Sequence, residues 1–303
     1  WVKLSVALFG ISLITRMFPG IVSVPFKEYA EKNSIPTKLT ADFDTDNMRV
    51  YRRGNPLSHI DAIGRGTFSL CYEALQGKVN PVEAVGTILS TPVQIMEGVV
   101  GFANPISAFH PDDHLSKTQM IYPPSYKVTV ADLVNVFSTF NLPEEDTTYS
   151  TPDFSQAAKE YILLHEMRHT NQKKYIICYR ESDSDVYSLR TMGESRDTSV
   201  THKMAELILH ARVIAATRGD FDHATSFCLE AMDATPVRAA ECSIAFMKLS
   251  YIFNATADME SKTSEIDQRQ AIATTLLKKD LLDEDIALKC AAVQYIEACD
   301  YFN

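Results

Sequence analysis

Residues 161–169 read Tyr-Ile-Leu-Leu-His-Glu-Met-Arg-His, so His165, Glu166 and His169 stand in a His-Glu-x-x-His pattern inside an apolar run. On a helix, side chains four apart lie one above the other on the same face, and His165 and His169 can present two imidazoles to one cation. Glu166 sits one step round the axis, where it reaches a water on that cation rather than the cation itself, and can take the water's proton as general base. This constrains the fold. Two histidines do not complete a hydrolytic metal site, so a second element must bring a third ligand to the same face while leaving a position open.

The flanking residues predict a helix that carries the pattern. Thr151-Pro152-Asp153 reads as its start, with Thr151 as N-cap, proline in the first turn and an acidic side chain at the positive end of the dipole. Phe154, Ala158, Ile162, His165, His169 and Gln172 recur at helical spacing, so the histidines continue a buried stripe. Tyr161 to Leu164 is apolar all round, which predicts a helix enclosed by other elements. After Gln172-Lys173-Lys174 the pattern breaks into a short connector, Tyr175 to Tyr179, and a second helical run is expected from near Arg180.

That second run opens Glu181-Ser-Asp-Ser-Asp185. Glu181 and Asp185 share a helix face, so one carboxylate can bind the metal while the other accepts the second ring N–H of a liganding histidine. Glu181 is taken as the third ligand and Asp185 as the orienting partner. Asp183 points away from both, and Cys178 is a weaker ligand alternative. An oxyanion formed during hydrolysis also needs a donor; Tyr187 and His202 are the candidates chosen, with Tyr175, Tyr179 and His210 nearby, none supported by a spacing rule. The bland readings are two core histidines bonded to their neighbours and a solvated acidic helix start.

With these residues the chain resembles the zincin metallopeptidases, in the gluzincin-like form of His-Glu-x-x-His followed by Glu-x-x-x-Asp on a second helix. It is also similar to bacterial metallopeptidase-like sequences whose substrates the pattern does not define. The resemblance covers about thirty residues, Tyr161 to Leu189. It implies that His165, His169 and Glu181 bind Zn²⁺, that Glu166 activates water, and that Asp185 orients a histidine on a zincin-like pair of helices. The chain departs from the relatives in two ways. Only twelve positions separate His169 from Glu181, and no downstream histidine-glycine signature of the metzincin kind is present. A tight connector suits an antiparallel helix pair.

Elsewhere the pattern predicts a mainly α (α+β) protein. Asn47–Arg53, Thr118–Tyr122 and Tyr126–Val130 are β-like, and Leu57–Gly77 and Pro81–Phe102 read as helices. The tail reads as antiparallel helical hairpins: Val200–Arg218 closed by Gly219, Phe221–Ala234 behind an Asp220 cap, Val237–Asn254 behind Thr235-Pro236, Glu265–Leu282, and Glu284–Tyr301. Three regions follow: 1–24, an apolar N-terminal segment; 25–199, a zincin-like metallopeptidase domain; and 200–303, the C-terminal helices. Leu4 to Ile14 has the size of a signal-peptide core and Arg16 interrupts it, so export signal, membrane anchor and buried helix all stay open for 1–24. Exported, membrane-associated and cytoplasmic placements stay open with them.

The net charge of −10 argues against nucleic acid as the main partner, because phosphate binding is driven by Lys and Arg. Six cysteines occur without a C-x-x-C pair, which favours buried thiols over a disulfide framework; Cys228 and Cys242 flank the Ala234-Thr235-Pro236 break symmetrically. The leading expectation is a zinc-dependent metallopeptidase acting on a peptide or protein substrate. The alternative is a non-catalytic helical scaffold or assembly subunit, whose C-terminal helices hold a protein partner and whose zinc site is structural or decayed.

Overall fold

A computed structural model describes residues 17–46, 48–51, 119–121, 151–172, 177–257, 262–282 and 284–302, with scattered positions between 10 and 85 and residue 149. Most of the apolar run at 4–14, most of the predicted helices at 57–77 and 81–102, the strand predicted at 126–130, Tyr175 and Cys71 lie outside the described residues. The protein is mainly α with a few short strands. It divides into two compact units, residues 1–127 with 162–171 and residues 128–161 with 172–303, and the division runs through one continuous helix.

In the first unit, a four-residue turn α1 (Pro19–Val22) leads through β1 (Ser23–Pro25) into α2 (Phe26–Lys32), followed by a 3-10 turn at Thr37–Thr40, β2 (Met48–Tyr51) and β3 (Gln119–Ile121). β1 pairs antiparallel with β2, Ser23 opposite Tyr51, and β3 pairs parallel with β2, Met48 opposite Gln119. Strands β2 and β3 fall inside two of the predicted β-like runs. β1, in contrast, straddles the end of the stretch read as an apolar leader. Met48 and Val50 point inward with Phe26 and Val22, while Arg49, of opposite parity, reaches the Ser23 hydroxyl at 2.8 Å and so ties the first two strands together.

The second unit is helical. It contains most of α3 (Pro152–Asn171), then α4 (Ile177–Ser195), α5 (Thr198–Thr217), a 3-10 turn at Phe221–His223, α6 (Ser226–Ala231), α7 (Pro236–Thr256), α8 (Glu265–Lys278) and α9 (Ile286–Phe302). Helix starts are written in their capping side chains. Thr235 accepts from the Arg238 N–H, Ser264 from Asp267 and Asp197 from Ser199, each satisfying a donor that has no partner in the first turn. The Asp197 cap starts α5 two residues before the predicted Val200, so the expected boundary between residues 199 and 200 falls inside a helix. Gly219, at φ +106°, stops α5, since the left-handed region costs a glycine little. Helices α5, α7 and α9 pack on one another around Phe246, Leu249, Phe253 and Tyr295, with α8 against α9.

One predicted helix is broken. In place of Phe221–Ala234 there is a 3-10 turn, a gap at Ala224-Thr225, and a single short helix ended by Met232 at φ 48°. Two polar side chains account for this. Asp220 spends its carboxylate on the His223 ring at 2.7 Å instead of capping a backbone, and the Thr225 hydroxyl is drawn 2.7 Å onto Asp185. Among the described residues no helix is long and apolar enough to cross a membrane.

Candidate metal centre

Helix α3 starts as its sequence predicts. The Thr151 hydroxyl accepts from the Phe154 N–H at 3.2 Å, with Pro152 and Asp153 in the first turn. Tyr161, Ile162, Leu163 and Leu164 are all buried, as expected of an enclosed helix, and the run ends in a buried His165 and a half-buried His169. The two Nε2 atoms stand 3.2 Å apart, with the rings nearly perpendicular at 86° and their centres at 4.8 Å. The two imidazoles thus bring the same ring nitrogen to within hydrogen-bond distance of each other. Glu166 is half-buried beside them on the next step of the helix.

Helix α4 begins at Ile177, three residues before the predicted start, so Glu181 lies in its second turn rather than at its mouth. Its carboxylate is only 12% exposed and forms a group with His165 and His169 in which one ligand atom from each lies within 4.8 Å of the others. The connector residues 173–176 are outside the described set, but Gln172 at the end of α3 reaches over to α4, donating to the Arg180 carbonyl and to the Asp183 carboxylate, both at 2.8 Å. Asp183, set aside as a ligand, is therefore a clasp between the helices.

Asp185, expected to orient a histidine, is the centre of a buried polar cluster. It is fully buried, and its oxygens receive the Tyr161 hydroxyl, the Arg212 guanidinium at 3.0 and 3.1 Å, and the Thr225 hydroxyl at 2.7 Å. The reason is electrostatic. Arg212 on α5 is buried almost completely, and a bidentate pairing is what makes its charge tolerable there. Burial alone would lower the Arg212 pKa; Asp185, Tyr161 and Glu181 outweigh it and hold the guanidinium above its ordinary value. Burial, with Asp185 beside it, raises the Tyr161 phenol well above the usual range, so it serves as a donor.

Of the oxyanion donors named from the sequence, His202 is engaged elsewhere. Tyr187 lies six residues beyond Glu181, about 240° round the helix at 100° per residue, and so on another face. His202 is 72% exposed, pairs with Glu206 at 3.2 Å, and lines a separate cavity of about 380 Å³ with Leu189, Gly193 and Leu229. Gly193 is about 18 Å along α4 from Glu181 at 1.5 Å per residue. His210 packs on Tyr301 with ring centres 4.4 Å apart, and burial pushes its pKa down to about 4. It is a half-buried packing residue of the helical tail.

A different histidine reaches the site. His223, on the 3-10 turn after α5, places Nε2 3.4 Å from a Glu181 oxygen while Nδ1 meets the Asp220 carboxylate at 2.7 Å. Burial raises the Asp220 pKa, but the bond from His223 and the charges of His223 and Arg212 outweigh it and leave the group below the ordinary carboxylate range. The sequence signal was the Asp220-x-x-His223 spacing, hidden because Asp220 reads equally well as a helix cap.

The donors suit a small divalent cation. Ligands at 2.0–2.1 Å from a tetrahedral zinc stand about 3.3 Å from one another; the two histidine nitrogens are 3.2 Å apart. Two like nitrogens at that distance are satisfied by a shared proton or a shared cation, and the adjoining carboxylate supplies charge for the cation. Among the described residues five cysteines are free thiols, Cys178, Cys228, Cys242, Cys290 and Cys299, and burial pushes the Cys242 thiol up to about 12. No protein-family profile matches the chain, and neither the curated proteins nor the solved structures compared with it give a match.

Proposed function

We propose that the protein is a zinc-dependent metallopeptidase of zincin-like, gluzincin-like type, with His165, His169 and Glu181 as metal ligands and Glu166 as general base. The observation that carries this reading is the closeness of the His165 and His169 Nε2 atoms, at the separation of two ligands on one ion, with a Glu181 carboxylate oxygen within 4.8 Å. Bound there, Zn²⁺ would polarise the scissile carbonyl and acidify water.

The remaining roles belong to the chain. Glu166, half-buried one step from His165, takes a proton from the attacking water and returns it to the leaving amine. Burial of α3 ahead of the histidines, from Tyr161 to Leu164, and of Met167 between them limits competing solvent on that side. Tyr161 and Asp185, one turn before His165 and one turn after Glu181, set the helices in register.

Metal analysis of the purified protein tests the reading. About one zinc per chain is expected, lost in His169→Ala. Glu166→Gln should keep the zinc and lose hydrolysis of a peptide library, and full turnover in that variant would remove the base from the mechanism. A non-catalytic metal that staples α3 to α4 in a helical scaffold is the second reading, favoured by the approach of His223 to Glu181.

A further inference from the structure

Helix α7 is apolar on two sides. One side buries Cys242, Ala245, Phe246, Leu249 and Phe253 in the helical core. The other carries Val237, Ile244, Met247 and Tyr251, each between 47% and 75% exposed, with the half-buried Ala240 between the first two. Val237, Ala240, Ile244, Met247 and Tyr251 follow one another at steps of three, four, three and four, the spacing of a coiled-coil seam. The stripe stops at Asn254, whose side chain accepts from Arg269 at 3.2 Å. A helix that is apolar all round is one that neighbours enclose, and here one side is left bare. Ile286, 75% exposed, enlarges the face at the start of α9, since Lys248 on the edge of the stripe pairs with the adjoining Asp285. The five exposed apolar side chains leave on the order of 600 Å² accessible per copy, and the stems of Glu241 and Lys248 bring the face toward the roughly 800 Å² that each partner of a stable interface covers.

Charge decides what fits there. The chain carries a net charge of −10, yet the charged groups bordering the stripe cancel, Arg238 pairing with Glu241 and Lys248 with Asp285. A basic partner would find no acidic surface to recognise, whereas two copies can meet here without setting like charges against each other. Glu241 and Lys248 lie on the same flank, seven residues apart, astride the middle of the stripe. We propose that this face docks a second copy of the chain, α7 against α7 and antiparallel, about a two-fold axis between Ile244 and Met247. In that setting each contact is made twice. Ile244 meets Met247 of the second copy, the small Ala240 takes its bulky Tyr251, and Glu241 comes beside its Lys248. A parallel copy would set Glu241 and Lys248 against Pro236 and Ser243, which carry no charge. The docking is independent of the metal site.

The test is sedimentation velocity on the full chain at physiological salt over rising concentration. Wild type is expected to pass reversibly from monomer to dimer in the micromolar range. Ile244→Glu and Met247→Lys change exposed positions, so circular dichroism and the urea midpoint should hold while dimerisation weakens at least tenfold. Glu241→Lys and Lys248→Glu should each weaken self-association several-fold, because each sets like charges together twice. An equimolar mixture of those two variants should regain wild-type affinity, since the mixed pair joins opposite charges at both places and leaves every contact within a chain as it was. Wild type that stays monomeric at about 100 µM hands the face to some other occupant and overturns the proposal. So does a dimer that Ile244→Glu and Met247→Lys leave intact, which would place its interface elsewhere. A mixture no tighter than either variant alone overturns the antiparallel setting.

Discussion

Tyr161 donates its hydroxyl to Asp185, and this bond lies one helical turn before His165 on α3 and one turn after Glu181 on α4. The pair fixes the register of the two helices at the level where it matters for the ligands. Gln172 grips Asp183 and Ser184 beyond the histidines, so the ligand-bearing stretch is pinned at both ends.

Tyr161→Phe should therefore do two things. Loss of one hydrogen bond to a charged, buried acceptor should lower the unfolding free energy by about 1.5–3 kcal/mol, read from the urea midpoint. It should also weaken Zn²⁺ binding in a chelator competition, although Tyr161 does not touch the ion. Unchanged affinity in a destabilised variant would show that register and ligand placement are independent.

Arg212→Met leaves the Asp185 carboxylate buried against two hydroxyls and no cation. Removing one member of a buried pair typically costs about 3–5 kcal/mol, so this variant should unfold at much lower urea. Adding Asp185→Leu to Arg212→Met should recover a good part of the loss, because the stranded charge is then gone.

Acid should weaken the helical tail through His210. Its pKa is pushed down to about 4, chiefly by burial, from an ordinary 6.5. The unfolded chain therefore takes up the proton first as pH falls. The neutral ring's contribution is complete above about pH 6.5, drains away between 6.5 and 4, and is spent below 4. The size is on the order of 3 kcal/mol at most. Comparing urea midpoints at pH 7.5 and 4.5 for wild type and His210→Phe checks this, since the variant should lose the part of the slope that His210 supplies.

Acidic residues of one short run should separate by role. Glu181→Ala should abolish stoichiometric zinc, Asp183→Ala should leave it bound, and Asp185→Asn should act mainly on stability. Atomic absorption and thermal unfolding on the same preparations give both readouts. Loss of zinc in Asp183→Ala with retention in Glu181→Ala would reassign the third ligand.

Much of the site was legible because helical spacing is rigid. His165 and His169 are bound to share a face once α3 forms, and Thr151, Pro152 and Asp153 announce where it starts. Glu181 was picked out by requiring a third ligand nearby, which remains the proposal. The pairing of Asp185 with Arg212 was not legible, because Arg212 sits on the buried face of α5, 27 residues downstream, where nothing local marks it as the counter-charge. His223 escaped for a related reason. Asp220 can cap a backbone or hold an imidazole, and only the folded neighbourhood of Glu181 decides between them. The tail helices followed from their caps, while the break at Ala224-Thr225 required knowing that Thr225 would find Asp185.

The bond between Arg212 and Asp185 also bears on how this chain can be divided. A fragment cut off just ahead of α5 would strand a negative charge among apolar side chains and leave Glu181 without the turn that faces it. The last third of the polypeptide is for that reason no severable appendage: proteolytic trimming or domain-swapping experiments that discard it should yield an insoluble remnant rather than a minimal enzyme.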